Sequence, residues 1–270
     1  MRTVHWVLQQ NVINQTTLGQ IKKALAKDGI SFEEVKIIPF SDELPEIKES
    51  EALKIFYGST TLVLNAHANG KYAEGIFYDK EVFSMKNYLE KWGAHMLNHD
   101  SEILTFQEIV TGDFAKEDWF VRPILDDKSF SGRVMSFQEI TTLEASLVES
   151  NNPYLNEKTL VLISKPKAIA KEWRHFIVDK EIVSSSRYAE FGHLSTSASD
   201  VPVDLLKFVN DRCQEYVPND VFVMDVALCT GAYKIVECNC FNDTGFYRHD
   251  IEKIISVVNA YIQRMLSEKA

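Results

Sequence analysis

Hydrophobic positions in the first hundred residues follow two alternating spacings. Short apolar runs typical of strands, such as TVHWVLQ near the N-terminus, alternate with segments whose apolar residues recur every three or four positions. After the first run, the residues at helical spacing are Leu18, Ile21 and Leu25. We expect Thr16 or Thr17 to cap the N-terminus of this helix and Gly29 to end it.

The same alternation continues to about residue 100. FEEVKIIPF and LKIFYGS read as a second and a third strand, and STTLVLNAHANG and the segment from Ser84 to Asn98 read as helices. Strands that alternate with helices are typical of a parallel sheet covered by helices. The pattern therefore predicts a small α/β domain over residues 1–100.

The pattern changes after residue 100, where strand-like segments dominate. They are DWFVRPIL, KTLVLIS, EWRHFIVDKEIVSSSRY, VFVMDVALC and AYKIVECNCF. DKEI and CTGA are expected to turn two hairpins, and HLSTSASD reads as a mobile loop. Helices are expected at PVDLLKFVNDRCQEYV and at the C-terminus, where an apolar stripe consists of Ile251, Ile254, Ile255, Val258, Ile262 and Met265. Residues 101–270 are thus predicted to form an α+β domain.

Composition narrows the class of protein. The chain has 270 residues, of which 45% are hydrophobic, so it can bury a substantial core. It lacks the run of about 18 apolar residues that spans a bilayer, and its N-terminus does not resemble a signal peptide. No pair of its four cysteines has CxxC spacing, which favours reduced thiols and a cytoplasmic location. The formal charge of −10 argues against binding to a nucleic-acid backbone, although it leaves room for a local basic pocket.

Two carboxylates interrupt the last pair of strands. Glu237 and Asn239 alternate along one strand and therefore share a face of the sheet. Whether Asp225 joins them depends on the hairpin. A three-residue loop over residues 230–232 places Asp225 directly opposite Glu237, whereas a two-residue loop without a bulge places the acids on opposite faces.

Carboxylates this close need a cation between them or water around them. Mg²⁺ prefers oxygen ligands, and Asp225, Glu237 and the Asn239 carboxamide provide a suitable set. Alternatively, these side chains are solvated on the open face of an antiparallel sheet, and spacing alone favours this second interpretation.

Cations upstream could bind phosphates. Arg122 ends an apolar run, and Lys128 follows in a loop of small polar residues that closes at Gly132. The GxxxxGK[ST] pattern of a Walker A loop is absent. Each of these cations could also be an ordinary solvated side chain.

A further group of charged residues follows on the first predicted hairpin. Glu172 and Arg174 alternate on its first strand, and Arg187 ends the returning strand. Here too a solvated sheet surface is the alternative.

In chain order these segments resemble the ATP-grasp fold. The resemblance is carried by FVRPILDDKSFSG, LVLISKP, the KEWRHFIVDKEIVSSSRY hairpin and, most specifically, by the strand pair with Asp225 and the Glu-x-Asn of Glu237 and Asn239. It extends over residues 100–265 and is greatest to the clade named for an arginine and two lysines. It implies a two-subdomain ATP-grasp fold with antiparallel sheets, preceded by an α/β pre-grasp domain.

The resemblance also implies roles for individual residues. Asp225, Glu237 and Asn239 match the ligands of Mg²⁺ at the ATP phosphates. Lys128 matches a phosphate-binding lysine, and Arg122 takes a position where many family members have lysine. Further matches are the adenine hinge, which includes Ile163 and Ser164, a ribose contact at Glu172, and arginines facing the γ-phosphate or acyl phosphate at Arg174 and Arg187. The second lysine of the clade is not placed among Lys165, Lys167 and Lys171.

The resemblance implies a Mg²⁺- and ATP-dependent ligase that joins a carboxylate to an amine or thiol through an acyl phosphate, releasing ADP and phosphate. Its partners would be small-molecule or peptide carboxylates and amines. A nucleotide-binding protein that does not ligate, and a phosphotransferase, are the alternatives. If the metal site is real, Ala232 should belong to the turn, or a bulge should have the same effect, so that Asp225 faces Glu237.

Overall fold

The computed structural model describes residues 2–38, 43–48, 50–125, 130–150 and 155–269. The N-terminal part contains a three-stranded parallel sheet formed by β1 (Val4–Gln9), β2 (Ser31–Val35) and β3 (Leu53–Tyr57), in the order β2-β1-β3. Helices α1 (Gln15–Lys27), α2 (Thr60–Ala68) and α3 (Met85–Trp92) accompany it. The predicted α/β pattern is therefore confirmed.

The cap of α1 differs from the prediction. Asn14, and not Thr16 or Thr17, is the N-cap residue, and its side chain accepts a hydrogen bond from the backbone N–H of Thr16 at 2.9 Å. Asparagine is among the strongest N-cap residues, so the helix starts two to three residues earlier than the threonines suggest. Gly29 follows the helix with φ +69°, as its predicted role requires.

A four-stranded antiparallel sheet follows, in the order β4-β7-β5-β6. Its strands are β4 (Glu102–Thr105), β5 (Asp118–Pro123), β6 (Arg133–Ser136) and β7 (Leu160–Ser164). Helices α4 (Phe106–Thr111) and α5 (Phe137–Ser150) pack beside it around a separate core that contains Phe106, Val121 and Ile140.

The third sheet has five antiparallel strands in the order β10-β9-β8-β11-β12. The strands are β8 (Ile169–Val178), β9 (Glu181–Glu190), β10 (His193–Ser197), β11 (Val221–Cys229) and β12 (Ala232–Cys240). Helix α6 (Val203–Glu215) precedes β11, and α7 (Ile251–Glu268) ends the chain. Both predicted hairpins are confirmed, but the segment predicted to be a mobile loop contains β10, which pairs with β9.

The β11–β12 hairpin combines a tight turn with a bulge. Cys229 pairs with Ala232, so the loop has two residues, Thr230 and Gly231, with φ of +49° and +80°. The three-residue loop predicted from the sequence is therefore wrong. The register shifts by one residue at Val236, and Asp225 nevertheless pairs directly with Glu237, so the expected alternative, a bulge, is right.

Two hydrophobic cores join the N-terminal sheet to the five-stranded sheet. One contains Val7 and Phe56 together with Trp173 and Phe222. The other contains Trp6 and Ile21 together with Phe176, Phe241 and the apolar stripe of α7. The predicted domain boundary near residue 100 stays a prediction. None of the helices in the described ranges has the length and apolar character that a membrane span needs.

Candidate active site between the two antiparallel sheets

The three residues predicted to bind a metal lie together on one face of the five-stranded sheet. Asp225 on β11 pairs with Glu237 on β12, and Val223, two residues before Asp225, pairs with Asn239. The Asn239 Nδ2 donates to Asp225 Oδ2 at 3.2 Å and to Glu237 Oε1 at 3.4 Å. The alternation of β12 and the Val236 bulge thus bring both carboxylates and the carboxamide together.

Asp225 is held by an arginine on the neighbouring strand. Arg174 on β8 is its register partner, and the guanidinium donates from Nε to Oδ1 at 2.8 Å and from Nη2 to Oδ2 at 2.6 Å. Both residues are buried, with 8% of Arg174 and 1% of Asp225 exposed. Burial acts to lower the pKa of Arg174, but the charge and hydrogen bonds of Asp225 raise it above its ordinary value, so the guanidinium stays charged.

Arg174 is itself fixed by residues that the sequence did not single out. Its Nη1 donates to the carbonyl oxygen of Gly245 at 3.2 Å, and its guanidinium lies 5.0 Å from the ring centre of Tyr247 and 5.6 Å from that of Tyr188. The two rings stack at 5.2 Å. Tyr247 has φ +42°, an uncommon backbone for an aromatic residue. Their positions in the sequence could have identified the two tyrosines. Tyr188 directly follows the candidate Arg187, and Tyr247 lies in the loop after β12.

Glu237 is held differently, by a residue of the other antiparallel sheet. Arg122 on β5 donates from Nη2 to Glu237 Oε2 at 2.5 Å and from Nη1 to the carbonyl oxygen of Val236 at 3.4 Å. The two side chains are 12% and 26% exposed, and Arg122 Nε is buried without a hydrogen-bond partner. This ion pair bridges the four-stranded and the five-stranded sheets.

A cavity of about 240 Å³ opens beside this ion pair, between the two sheets. It is lined by Arg122, Pro123, Leu125, Phe130, Ser131, Gly132, Glu237 and Asn239. A Cβ atom on Gly132 would lie 2.9 Å from the Arg122 Cβ, so glycine is needed for the loop to pack against the arginine. Lys128, predicted to bind phosphate from this loop, lies outside the described residues.

Glu172 adds a third carboxylate to the same face. It pairs with Ala227, two residues from Asp225, and its Oε2 accepts a hydrogen bond from the Tyr188 hydroxyl at 2.9 Å. Burial raises the pKa of Glu172, and the nearby charges of Asp225 and Glu237 raise it further. Its predicted contact with a ribose stays a prediction.

The predicted adenine hinge is β7. Ile163 pairs with Glu102 on one side and Val121 on the other, whereas Ser164 pairs with Phe120 on one side. The Ser164 Oγ donates to Asn98 Oδ1 at 3.1 Å. Backbone groups that could bind a ligand are therefore at the C-terminal end of the strand, at Ser164 and beyond it, and a contact at Ile163 stays a prediction.

The lysines that could be the second lysine of the clade all have carboxylate partners. Lys165 pairs with Glu117, with its Nζ 3.9 Å from the ring centre of Trp119, and Lys167 pairs with Asp100. Lys171 Nζ lies 2.8 Å from Asp200 Oδ2. The positions of these three lysines therefore do not indicate which of them is the second lysine of the clade.

Arg187 does not join the cluster. It pairs with Trp173, the neighbour of Arg174, and therefore lies on the opposite face of the sheet from Asp225. Its Nη1 lies 2.9 Å from carboxylate oxygens of both Glu190 and Asp200. This placement separates Arg187 from the other predicted site residues, and its contact with a γ-phosphate stays a prediction.

The donor chemistry of the cluster fits Mg²⁺. Two carboxylates and a carboxamide on adjacent positions are the oxygen ligands that this ion prefers, typically completed by water and substrate phosphates. Within the described ranges, no group of three or more His, Cys, Asp or Glu side chains is arranged to hold a metal ion by itself. Both carboxylates are also paired with arginines.

Comparisons with known structures support this reading of the fold. A RimK domain ATP-grasp protein from Sphaerobacter thermophilus is 11% identical with a TM-score of 0.63, over 94% of this chain and 98% of that one. D-alanine–D-alanine ligase from Bacillus anthracis is 14% identical with a TM-score of 0.61, over 100% of both chains. The macrocyclase MdnC from Microcystis aeruginosa, bound with precursor peptide MdnA, is 10% identical with a TM-score of 0.57, over 95% of this chain and 99% of that one.

Sequence comparison supplies the family. No curated protein sequence matches the chain. The family model of the ATP-grasp domain, R2K clade family 2, matches residues 100–257, which is more than half of the chain and contains every predicted site residue. The fold of this family implies ATP binding, and the resemblance noted in the sequence is confirmed. The chain belongs to the ATP-grasp proteins of R2K clade family 2.

Proposed function

We propose that the protein is an ATP-dependent ligase that joins a carboxylate to an amine or thiol. The observation that carries the proposal is the cluster of Asp225, Glu237 and Asn239 at a cavity between the two antiparallel sheets, in a chain of the ATP-grasp family. D-alanine–D-alanine ligase and the macrocyclase MdnC, which share the fold, are named for bond-forming reactions.

In the proposed reaction, a carboxylate oxygen of the first substrate attacks the γ-phosphorus of ATP, and ADP leaves. The amine or thiol then attacks the acyl carbon, the C–O bond to phosphate breaks, and phosphate leaves with that electron pair. The attacking group loses its proton to a base or to solvent. Negative charge on phosphoryl oxygens has to be stabilised in the first step, and charge on the tetrahedral oxygen in the second.

Asp225, Glu237 and Asn239 would hold Mg²⁺, which supplies charge neutralisation and orientation of the transferring phosphoryl group. Arg122, at the cavity, would bind phosphate oxygens. Arg174 keeps Asp225 in position and has Nη1 directed to Gly245, at the start of the loop that carries Tyr247. Ser164 and the residues after it would bind the adenine base through their backbone.

We further propose that peptides are among the substrates. The macrocyclase MdnC was solved with its precursor peptide, and PsnB, another ATP-grasp ligase of similar fold, was solved with a minimal precursor. Small carboxylates and amines remain the other substrate class.

Hydroxylamine tests the proposal without knowledge of the amine, because it converts an acyl phosphate to a hydroxamate. The protein is incubated with ATP, Mg²⁺, hydroxylamine and a library of amino acids and peptides, and hydroxamate and phosphate are measured together. We expect equal amounts of both products. Asp225→Asn should lower the rate at least about a hundredfold, because an ion worth several kcal/mol in the transition state is lost.

Asp211→Asn is the matched control, since Asp211 lies exposed on α6 and pairs only with Lys207 among the described residues. It should keep the wild-type rate. Equal rates for wild type and Asp225→Asn would contradict the proposal.

A second candidate is an ATP-binding protein that does not ligate. It is favoured by two observations: both carboxylates are paired with arginines, and Arg187 lies on the other face of the sheet. Tight ATP binding without hydroxamate from any carboxylate of the library would favour this candidate over the ligase.

A further inference from the structure

The two carboxylates of the cluster are held in different ways. Asp225 is almost fully buried and receives two hydrogen bonds from Arg174, which is itself fixed by Gly245 and two tyrosine rings. Glu237 is 26% exposed, lies at the cavity, and accepts a hydrogen bond from Arg122 of the other sheet. Arg174 is thus fixed by partners of its own sheet and of the loop after β12, whereas Arg122 reaches Glu237 from the other sheet and borders a cavity.

A guanidinium and a divalent cation compete for the same carboxylate oxygens. Arg122 occupies Glu237 Oε2, and its positive charge repels a second cation a few ångströms away. A metal ion that needs Glu237 is therefore opposed by Arg122.

Nucleotide phosphates give Arg122 another partner. The cavity beside it is bordered by the small residues Ser131 and Gly132, and the buried Nε of Arg122 has no hydrogen-bond partner. A guanidinium binds phosphate oxygens with two parallel hydrogen bonds and prefers such geometry. The formal charges of the cluster residues that the structure describes agree with an exchange: Glu172, Asp225 and Glu237 against Arg122 and Arg174 leave one negative charge, and withdrawal of Arg122 leaves two.

We propose that Arg122 makes metal binding depend on nucleotide: it holds Glu237 in the nucleotide-free protein, moves to the phosphates when nucleotide binds, and so releases Glu237 to the divalent cation. This inference rests on the proposed metal and nucleotide site and adds the order in which that site is filled. Because Arg122 and Glu237 lie on different sheets, the same exchange loosens one contact between the sheets as the ligand enters.

Metal binding alone tests the exchange, with Mn²⁺ as the probe and free Mn²⁺ measured by electron paramagnetic resonance. In the wild type we expect weak Mn²⁺ binding without nucleotide. Arg122→Gln should bind Mn²⁺ without nucleotide about tenfold more tightly or better, because the competing cation is gone. Arg133→Gln is the matched control, since Arg133 lies exposed on β6 of the same sheet and should leave the affinity unchanged.

The reciprocal variant gives a second, independent measurement. Glu237→Gln removes the charge that retains Arg122, so ADP binding in the presence of EDTA should tighten severalfold relative to the wild type. If circular dichroism shows that Arg122→Gln does not fold, the ADP affinity of Glu237→Gln alone tests the exchange.

The outcomes separate this inference from the proposed function. The exchange is overturned, and the proposed function stands, if the wild type binds Mn²⁺ with ADP but one of the variants shows no effect. That result is an unchanged nucleotide-free Mn²⁺ affinity in Arg122→Gln or an unchanged ADP affinity in Glu237→Gln. Wild-type protein that binds neither ADP nor Mn²⁺ with ADP overturns the proposed function itself.

Discussion

Single residues at the site differ in how far their neighbours restrain them. Arg174 contacts a carboxylate, a carbonyl oxygen and two rings, so its position is set before any ligand arrives. Removal of one partner from such a buried ion pair typically costs about 3–5 kcal/mol, because a charge is left buried without compensation. A loss of activity in an Arg174 variant therefore has to be separated from a loss of folding.

Two buried histidines make the stability depend on pH. Burial lowers the pKa of His175 and of His249 to about 3, and their Nδ1 atoms lie 2.8 Å from the Ser185 and Ser184 hydroxyls. In the unfolded chain a histidine takes up a proton near pH 6.5, whereas in the folded protein both stay neutral. Their contribution is therefore present above about pH 6.5 and is lost as the pH falls toward 3.

We expect the free energy of unfolding to fall between pH 6.5 and pH 4, by up to about 1.4 kcal/mol per pH unit for each histidine. Urea denaturation at a series of pH values measures this slope. In the double variant His175→Gln and His249→Gln the slope should be shallower, since glutamine does not titrate. An unchanged slope would show that other groups cause the acid sensitivity.

Sequence reasoning reached the residues of the acidic cluster but not their partners. Alternation along a strand predicts that Glu237 and Asn239 share a face, because that rule is local. The pairing of Arg122 with Glu237 joins residues 115 positions apart and depends on how two sheets pack, which no local pattern contains. The same holds for Tyr188 and Tyr247, whose rings meet only in the folded chain.

At the scale of elements, the short strands were not predicted, because pairing with a neighbouring strand, and not their composition, makes them strands. β4 and β6 have four residues each, and β10 has one leucine among a histidine and three small polar residues. Each is held by hydrogen bonds to a longer neighbour, and strand propensity depends strongly on such context. The long strands and α7 were predicted because their apolar patterns extend over many residues.

The turn of the β11–β12 hairpin carries a removable strain. Thr230 has φ +49°, a conformation that is unfavourable for a β-branched residue and tolerated by asparagine. Thr230→Asn should raise the free energy of unfolding by about 0.5–1 kcal/mol, and Gly231→Ala, at φ +80°, should lower it by about 1 kcal/mol. Urea denaturation measures both variants, and a decrease for Thr230→Asn would contradict the strain.

The whole molecule is joined by contacts between its first and last segments. The Trp6 indole donates to Asn259 on α7 at 2.9 Å, and its ring meets Phe241 edge to face. Asn242, just after β12, donates to the carbonyl oxygens of Phe56 and Gly75. The loop that fixes Arg174 is therefore anchored to the N-terminal sheet.

These shared cores predict the behaviour of a fragment. Residues 101–270 alone would expose the faces of Phe176, Phe241 and Ile254 that the N-terminal sheet covers. We expect the fragment to lose cooperative unfolding and near-ultraviolet circular dichroism, while the full chain unfolds in one transition. A fragment that unfolds cooperatively would show that the boundary near residue 100 separates independent domains.

The bulge at Val236 has a consequence for how relatives are compared. Asp225 and Glu237 are twelve positions apart in the sequence. With this spacing, two hairpin conformations place them directly opposite each other: a two-residue turn with one bulged residue, as here, or a three-residue turn without a bulge. Evolution can therefore exchange one hairpin for the other by substitution alone, without insertion or deletion. Relatives built either way would align without a gap, and the identity of the two turn residues, not the spacing of the acids, would tell them apart.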